Sequence, residues 1–182
     1  MHTCAVIANY EETIAMRRQR GFSLIELLIV VAIILIIAAI AIPNLQRAKM
    51  TANEAAAVQA MRSIFTAEAA YLAQGWNNPG AVGFTAVLPD LGSSAGCNPP
   101  SATSACQLDD IIANATTPAK GKSGYYFTYA PISNGITNTA FTLNGDPVQR
   151  GSTGSRSFYT DQTGIIRANA AQAASVSDSP IQ

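Results

Sequence analysis

Residues 24–42 read LIELLIVVAIILIIAAIAI, an apolar run interrupted by one polar side chain, Glu26. At about 1.5 Å of helical rise per residue the run would cover roughly 28 Å, close to the hydrocarbon thickness of a bilayer. No face of such a helix is polar, so lipid or other apolar helices must enclose it. The run also accounts for an odd balance in the 182-residue chain, which is 48% hydrophobic but only 12% charged. That composition excludes disorder and collagen, and the length allows one domain beyond the run. Basic and acidic residues number 11 each, so a formal charge of zero gives no bulk attraction to nucleic acid or to an anionic surface.

The flanks decide what kind of segment this is. Arg17, Arg18 and Arg20 stand directly before Gly21 and should hold that side in the cytoplasm, so the chain beyond the run is expected to be exported. A secretory signal would be cut after its apolar segment, at a small-x-small site. The small residues at 39–41 instead continue into Ile42, Pro43 and an alanine-rich helical pattern, and the run is expected to stay in the mature protein.

At the junction, RQRGFSLIELLIVVAIILIIAAIAIPNLQRA resembles the start of a type IV prepilin. The motif is specific and covers under a fifth of the chain. The resemblance implies that a prepilin peptidase cuts between Gly21 and Phe22, removing residues 1–21 as a leader, and that Phe22 is then N-methylated. It also implies that Glu26 neutralises the terminal amine of a neighbouring subunit and so sets axial register in a filament. The residues alone point the same way: a carboxylate near the start of a membrane helix costs about 2.5–3.5 kcal/mol unless it has a partner, and the positive end of its own helix favours an anion. The plainer alternative is a Glu26 tolerated at the interface.

No glycine lies between Gly21 and Gly75, and the only proline there is Pro43, which predicts one helix over 22–74. Pro43 lacks an amide hydrogen and should kink or open it. Residues 22–43 form its membrane or filament-core half and residues 44–75 its amphipathic half, with an apolar stripe of Val58, Met61, Phe65, Ala69 and Leu72. Gly75, Asn77, Pro79 and Gly80 supply the stop.

Residues 76–182 should form a small head. Stretches 83–92 and 108–115 read as turns with a short helix at best, and 125–130, 139–143, 156–160 and 164–167 read as strands. Turns are expected at Asn144-Gly145, which puts Asp146 in a turn, and at 151–155, with Asp161 in another turn. Short connections predict an antiparallel sheet laid on the 58–72 stripe, an α+β, pilin-like fold. Residues from 168 onward are small and polar and read as a frayed tail.

Cys4 would leave with the leader. Cys97 and Cys106, close together in an exported loop, would pair as a disulfide in an oxidising space, the alternatives being free thiols or half a metal site. His2, the only histidine, also lies in the leader, so the mature chain has no Ser-His or Cys-His couple and too few ligands for zinc. Asp109 and Asp110 fit a helix start, no calcium-loop or phosphate-loop motif occurs, and Asn114 begins a common glycosylation-type triplet. Lys120 and Lys122 beside Tyr125, Tyr126, Phe127 and Tyr129 could suggest stacking on single-stranded DNA, but an aromatic strand entering a core explains them as well. No enzyme, cofactor, metal or nucleic-acid partner is expected.

The combined reading is a structural subunit held in the inner membrane with its head in the periplasm. An assembly platform would then extract it from lipid into a homopolymeric extracellular pilus. The alternatives are a periplasmic pseudopilin of a type II secretion system, with the same N-terminus, and a membrane-anchored binding domain.

Overall fold

A computed structural model describes residues 21–76, 83–93 and 96–181. Residues 1–20, with His2, Cys4, Arg17, Arg18 and Arg20, lie outside the described residues, as do Asn77, Pro79 and Gly80 of the expected helix stop. The chain divides into two compact units, residues 1–41 and 42–182. Helix α1 (Leu24–Gln74) contributes to both, and its helical assignment runs unbroken through Pro43. The helix ends where expected, at Gly75, whose φ of +67° is left-handed backbone that glycine adopts at little cost.

In the first unit, residues 21–23 are non-helical and the helix begins at Leu24. Side chains along 24–37 are exposed in every direction around the axis, from Leu24 and Ile25 to Ile36 and Ile37. An all-apolar helix produces this pattern, since it has no preferred face to bury on itself.

In the second unit, four strands form an antiparallel sheet in the order β1 (Tyr125–Ser133), β2 (Asn138–Pro147), β3 (Ser157–Asp161) and β4 (Arg167–Asn169). Period-two alternation puts Tyr125, Phe127, Phe141, Leu143 and Phe158 on one buried face. The core closes with Met61, Ile64 and Tyr71 of α1, with Leu88 and Leu91 of the 3₁₀ turn Leu88–Leu91, and with Ile112 and Ala113 of the short helix α2 (Asp110–Ala113). Phe141 anchors an aromatic cluster, edge-on to Phe84 at 5.0 Å and stacked with Tyr129 at 5.5 Å.

Three expectations are corrected here. The buried line on α1 is Glu54, Ala57, Met61, Ile64, Glu68 and Tyr71. Val58, Phe65 and Leu72 flank it half-buried, and Ala69 is exposed. Two carboxylates sit in that line, so a stripe chosen by hydropathy alone is rotated away from the true one. Asn144-Gly145 is not a turn but the middle of β2, with Asn144 opposite Thr128 and Gly145 opposite Phe127, and Asp146 is likewise in the strand. Gly145 is there for space, because a Cβ would lie 3.2 Å from Met61 Sδ and 3.3 Å from the Phe127 ring. The 151–155 turn is present, and the 161–164 turn is held by Asp161 Oδ1, which accepts from the Thr163 amide.

The third correction concerns the last strand and the tail: the strand expected over 164–167 is found at Arg167–Asn169, with residues 164–166 outside it. Residue 168 lies in β4, Ala174 is buried and Ile181 packs on the core. The Ala168 amide donates to Ser179 O and the Ile181 amide to Ile166 O, so the last residues run antiparallel along the outer side of β4. The tail thereby covers a sheet edge that would otherwise present unpaired backbone groups.

Candidate functional site

The N-terminal segment is built from one local device. Ser23 precedes the first helical turn, and its carbonyl accepts from the amides of Glu26 and Leu27 at 3.1 and 3.2 Å. Glu26 reaches back, with Oε2 accepting a long 3.4 Å bond from the Ser23 amide. Ser-x-x-Glu is the spacing of a capping box, in which the acid satisfies one of the orphan amides at a helix start. Glu26 thus has a local partner within its own chain, and it fixes where α1 begins.

Gly21 and Phe22 stand just outside the helix in open chain, and Phe22 is 76% exposed. A Cβ on Gly21 would meet nothing within 4 Å, so nothing in this fold asks for a glycine there. Downstream, α1 is long and apolar enough to cross a membrane by length and composition.

Residues 16–42 match a family model described as the prokaryotic N-terminal methylation motif. The chain is 33% identical over 104 residues to the type IV major pilin protein PilA of Myxococcus xanthus, a match covering 57% of this chain and 47% of that one. It is 62% identical over 39 residues to the type IV wide pilus major component PilA4 of Thermus thermophilus, covering 21% of this chain and 30% of that one. In these stretches the chain is similar to type IV pilins. The matched stretches span less than half the length of either relative. No solved structure matches the chain.

In the second unit, two acids on α1 hold the loops. The Glu54 side chain is buried, and Oε1 accepts from the Ser155 amide at 2.9 Å, the Ser155 hydroxyl at 2.6 Å and the Arg156 amide at 3.2 Å. Its Oε2 pairs with Arg156 Nε at 2.8 Å. Burial works to raise the Glu54 pKa, but these donors outweigh it and hold the carboxyl below the usual range. One residue earlier, Asn53 Nδ2 donates to Thr153 O at 2.8 Å, so the β2–β3 turn is clamped to the helix twice.

Glu68 is fully buried and secures the segment leading into the 3₁₀ turn. Its carboxylate accepts from the Thr85 amide at 3.1 Å and from the Thr85 hydroxyl, while Tyr129 Oη donates to Thr85 O at 3.1 Å. Here burial dominates, opposed by the Thr85 bonds, and the Glu68 pKa is raised. Sequence reasoning missed Glu54 and Glu68, and nothing in the residue pattern separates them from solvated acids on a helix. It also missed the bond from the Ser23 amide to Glu26, which the Ser-x-x-Glu spacing does signal.

Cys97 and Cys106 are joined by a disulfide, as expected. Their loop is stitched to the 3₁₀ turn by backbone bonds from Ala105 to Asp90 O, Cys106 to Gly92 O and Gln107 to Leu91 O, and Tyr71 Oη donates to Ala102 O. Asp109 caps α2 by accepting from the Ile111 and Ile112 amides. Lys122 pairs with Asp109 at 3.5 Å, and Tyr125 and Phe127 point into the core rather than outward. Among the described residues, no group of three or more His, Cys, Asp or Glu side chains is arranged to hold a metal.

Proposed function

We propose that the chain is a structural subunit of a type IV pilus, without enzymatic activity. A prepilin peptidase cuts between Gly21 and Phe22 and Phe22 is N-methylated. The subunit waits in the inner membrane by its apolar helix with the head in the periplasm, and an assembly platform transfers it into an extracellular homopolymer. The observation that carries this reading is the one at the helix start: an exposed Gly21-Phe22 junction in open chain, one capping turn before an apolar run, residues 24–42, whose only charge is Glu26. Since the fold does not require glycine at position 21, a requirement for glycine there belongs to whatever acts on the bond.

Within a polymer, the Glu26 carboxylate exchanges its long bond to Ser23 for the methylated amine of a neighbouring copy. Two opposite charges in a dry bundle relieve each other's desolvation, whereas either alone remains costly. Packing among apolar helices is otherwise weakly specific, so this pair sets register. Pro43, which has no amide hydrogen to give the carbonyl one turn earlier, is the point where the helix yields during extraction. The relatives are named as pilus components, which favours a surface fibre over the pseudopilin alternative.

Glu26→Ala tests the reading in cells. The expected result is normal membrane insertion with at least a tenfold loss of subunit from sheared surface filaments. Unchanged filament yield would refute the assembly role.

A further inference from the structure

Just beyond the apolar run, which ends at Ile42, stand two cations, Arg47 and Lys49. Along a helix they follow the run by only about 8 and 11 Å. Neither belongs to an ion pair among the described residues, where the two pairs are Lys122 with Asp109 and Arg156 with Glu54. Basic residues on the exported side of a span run against the usual charge bias, so they need a reason of their own.

Lys49 lines a recess of about 230 Å³ together with Gln46, Gly151 and Ser152. Gln46 and Lys49 are three apart on α1 and share a face. Gly151 closes the opposite side at φ +82°, and where its Cβ would be there is open space. The turn's own amides are already spent, Gly151 on Gly154 O at 2.8 Å and Ser152 on Gln149 O at 3.1 Å. What remains to meet a ligand is an ammonium, a carboxamide and a hydroxyl, with no carboxylate in the lining. The wall is also fixed, since Asn53 and Glu54 tie residues 153–156 to the helix one turn further on.

One positive charge with two neutral hydrogen-bonding groups suits a monoanionic phosphodiester. In the sequence, Gln46 and Lys49 follow the apolar run by only four and seven residues, close to the headgroup layer of any membrane that the run spans, which selects a lipid as the source. We infer that Gln46, Lys49 and Ser152 bind the headgroup phosphate of an anionic phospholipid in the leaflet on the head's side, seating the subunit before assembly. This rests on the membrane-held precursor described above.

The test uses the full chain. Carbonate extraction of cell membranes first reports anchoring: release of the wild-type chain would overturn the membrane-held reading itself, before any lipid is counted. The detergent-solubilised chain is then titrated with phosphatidylglycerol and bound lipid is counted by native mass spectrometry. Lys49→Gln should weaken retention about tenfold and Gln46→Leu, which changes no charge, about threefold. Arg47→Gln, an equal loss of charge outside the recess, should stay within twofold. Trp76 fluorescence confirms that each variant's head is folded. Equal effects of Lys49→Gln and Arg47→Gln with none from Gln46→Leu would mean diffuse charge attraction and overturn the inference. Displacement of the lipid by equimolar inorganic phosphate would overturn it as well, by marking a free-anion site. An anchored wild-type chain that retains no phosphatidylglycerol would refute the inference alone.

Discussion

Replacing Glu54 by alanine removes the acceptor for four hydrogen bonds, two from Ser155 and two from Arg156. Bonds to an ionised group are worth about 1.5–3 kcal/mol each when lost singly, and breaking a buried ion pair costs about 3–5 kcal/mol. Neither figure applies in full. Ser155 and Arg156 are exposed, the Arg156 side chain being 45% accessible, so water takes over their donors once the carboxylate is gone. The expected loss is therefore about 2–3 kcal/mol, or roughly a 30- to 150-fold fall in the folded-to-unfolded ratio. Urea unfolding of the full chain in detergent, followed by Trp76, reads this directly, because the single tryptophan sits edge-on to Tyr71 at 5.4 Å. With a slope of about 1–3 kcal/mol per molar, the midpoint should fall by about 0.7–3 M. Arg156→Ala alone should cost about 1 kcal/mol, and the double variant should cost less than the sum of the two. Strict additivity, or a Glu54→Ala loss below 0.5 kcal/mol, would refute the clamp.

The two buried acids should also respond to pH in opposite senses. Glu54, with a lowered folded pKa, contributes stability that is complete above about pH 4.3, the unfolded value, and is lost as pH falls through the lower folded value. Glu68, with a raised folded pKa, contributes most below about pH 4.3 and progressively less as pH rises through the higher folded value. Glu68→Gln should thus flatten the urea midpoint's decline on the alkaline side while leaving the acid limb intact, and an unchanged profile would contradict the assignment. Deleting residues 170–182 removes buried Ala174 and the cover on β4. It should lower the urea midpoint by about 1 M and increase aggregation, and a truncated head as stable as the full one would show that the tail is dispensable.

The long helix and its stop at Gly75 were legible because hydropathy, proline and glycine act locally there. So were β1 and β3, for alternation of Phe and Tyr with polar residues marks them without knowledge of what they pack against, whereas the same pattern cuts β2 short at Leu143 and places the last strand at 164–167, one residue of overlap with β4. The Gly145 position was not legible: Asn-Gly is strong turn chemistry, and only the approach of Met61 from the helix explains a glycine in mid-strand. The same limit hid the tail, whose small residues look solvated until β4 offers them an edge to pair with. Glu54 and Glu68 resemble any helical acids in sequence, and their burial depends on donors about 100 and 17 residues further along. The N-terminal segment is the reverse case. Its motif carries an expectation for each of Gly21, Phe22 and Glu26, and the structure adds the bond from Ser23 that ties Glu26 to the start of the helix.

In the proposed assembly, one apolar helix half serves two surroundings, lipid first and neighbouring copies afterwards, which requires that it survive processing intact. Intact-mass and N-terminal sequencing of the subunit recovered from sheared surface filaments decides this. The predicted result is a chain beginning with methylated Phe22 and retaining residues 24–42. A chain beginning beyond residue 42, or still carrying Met1, would contradict it.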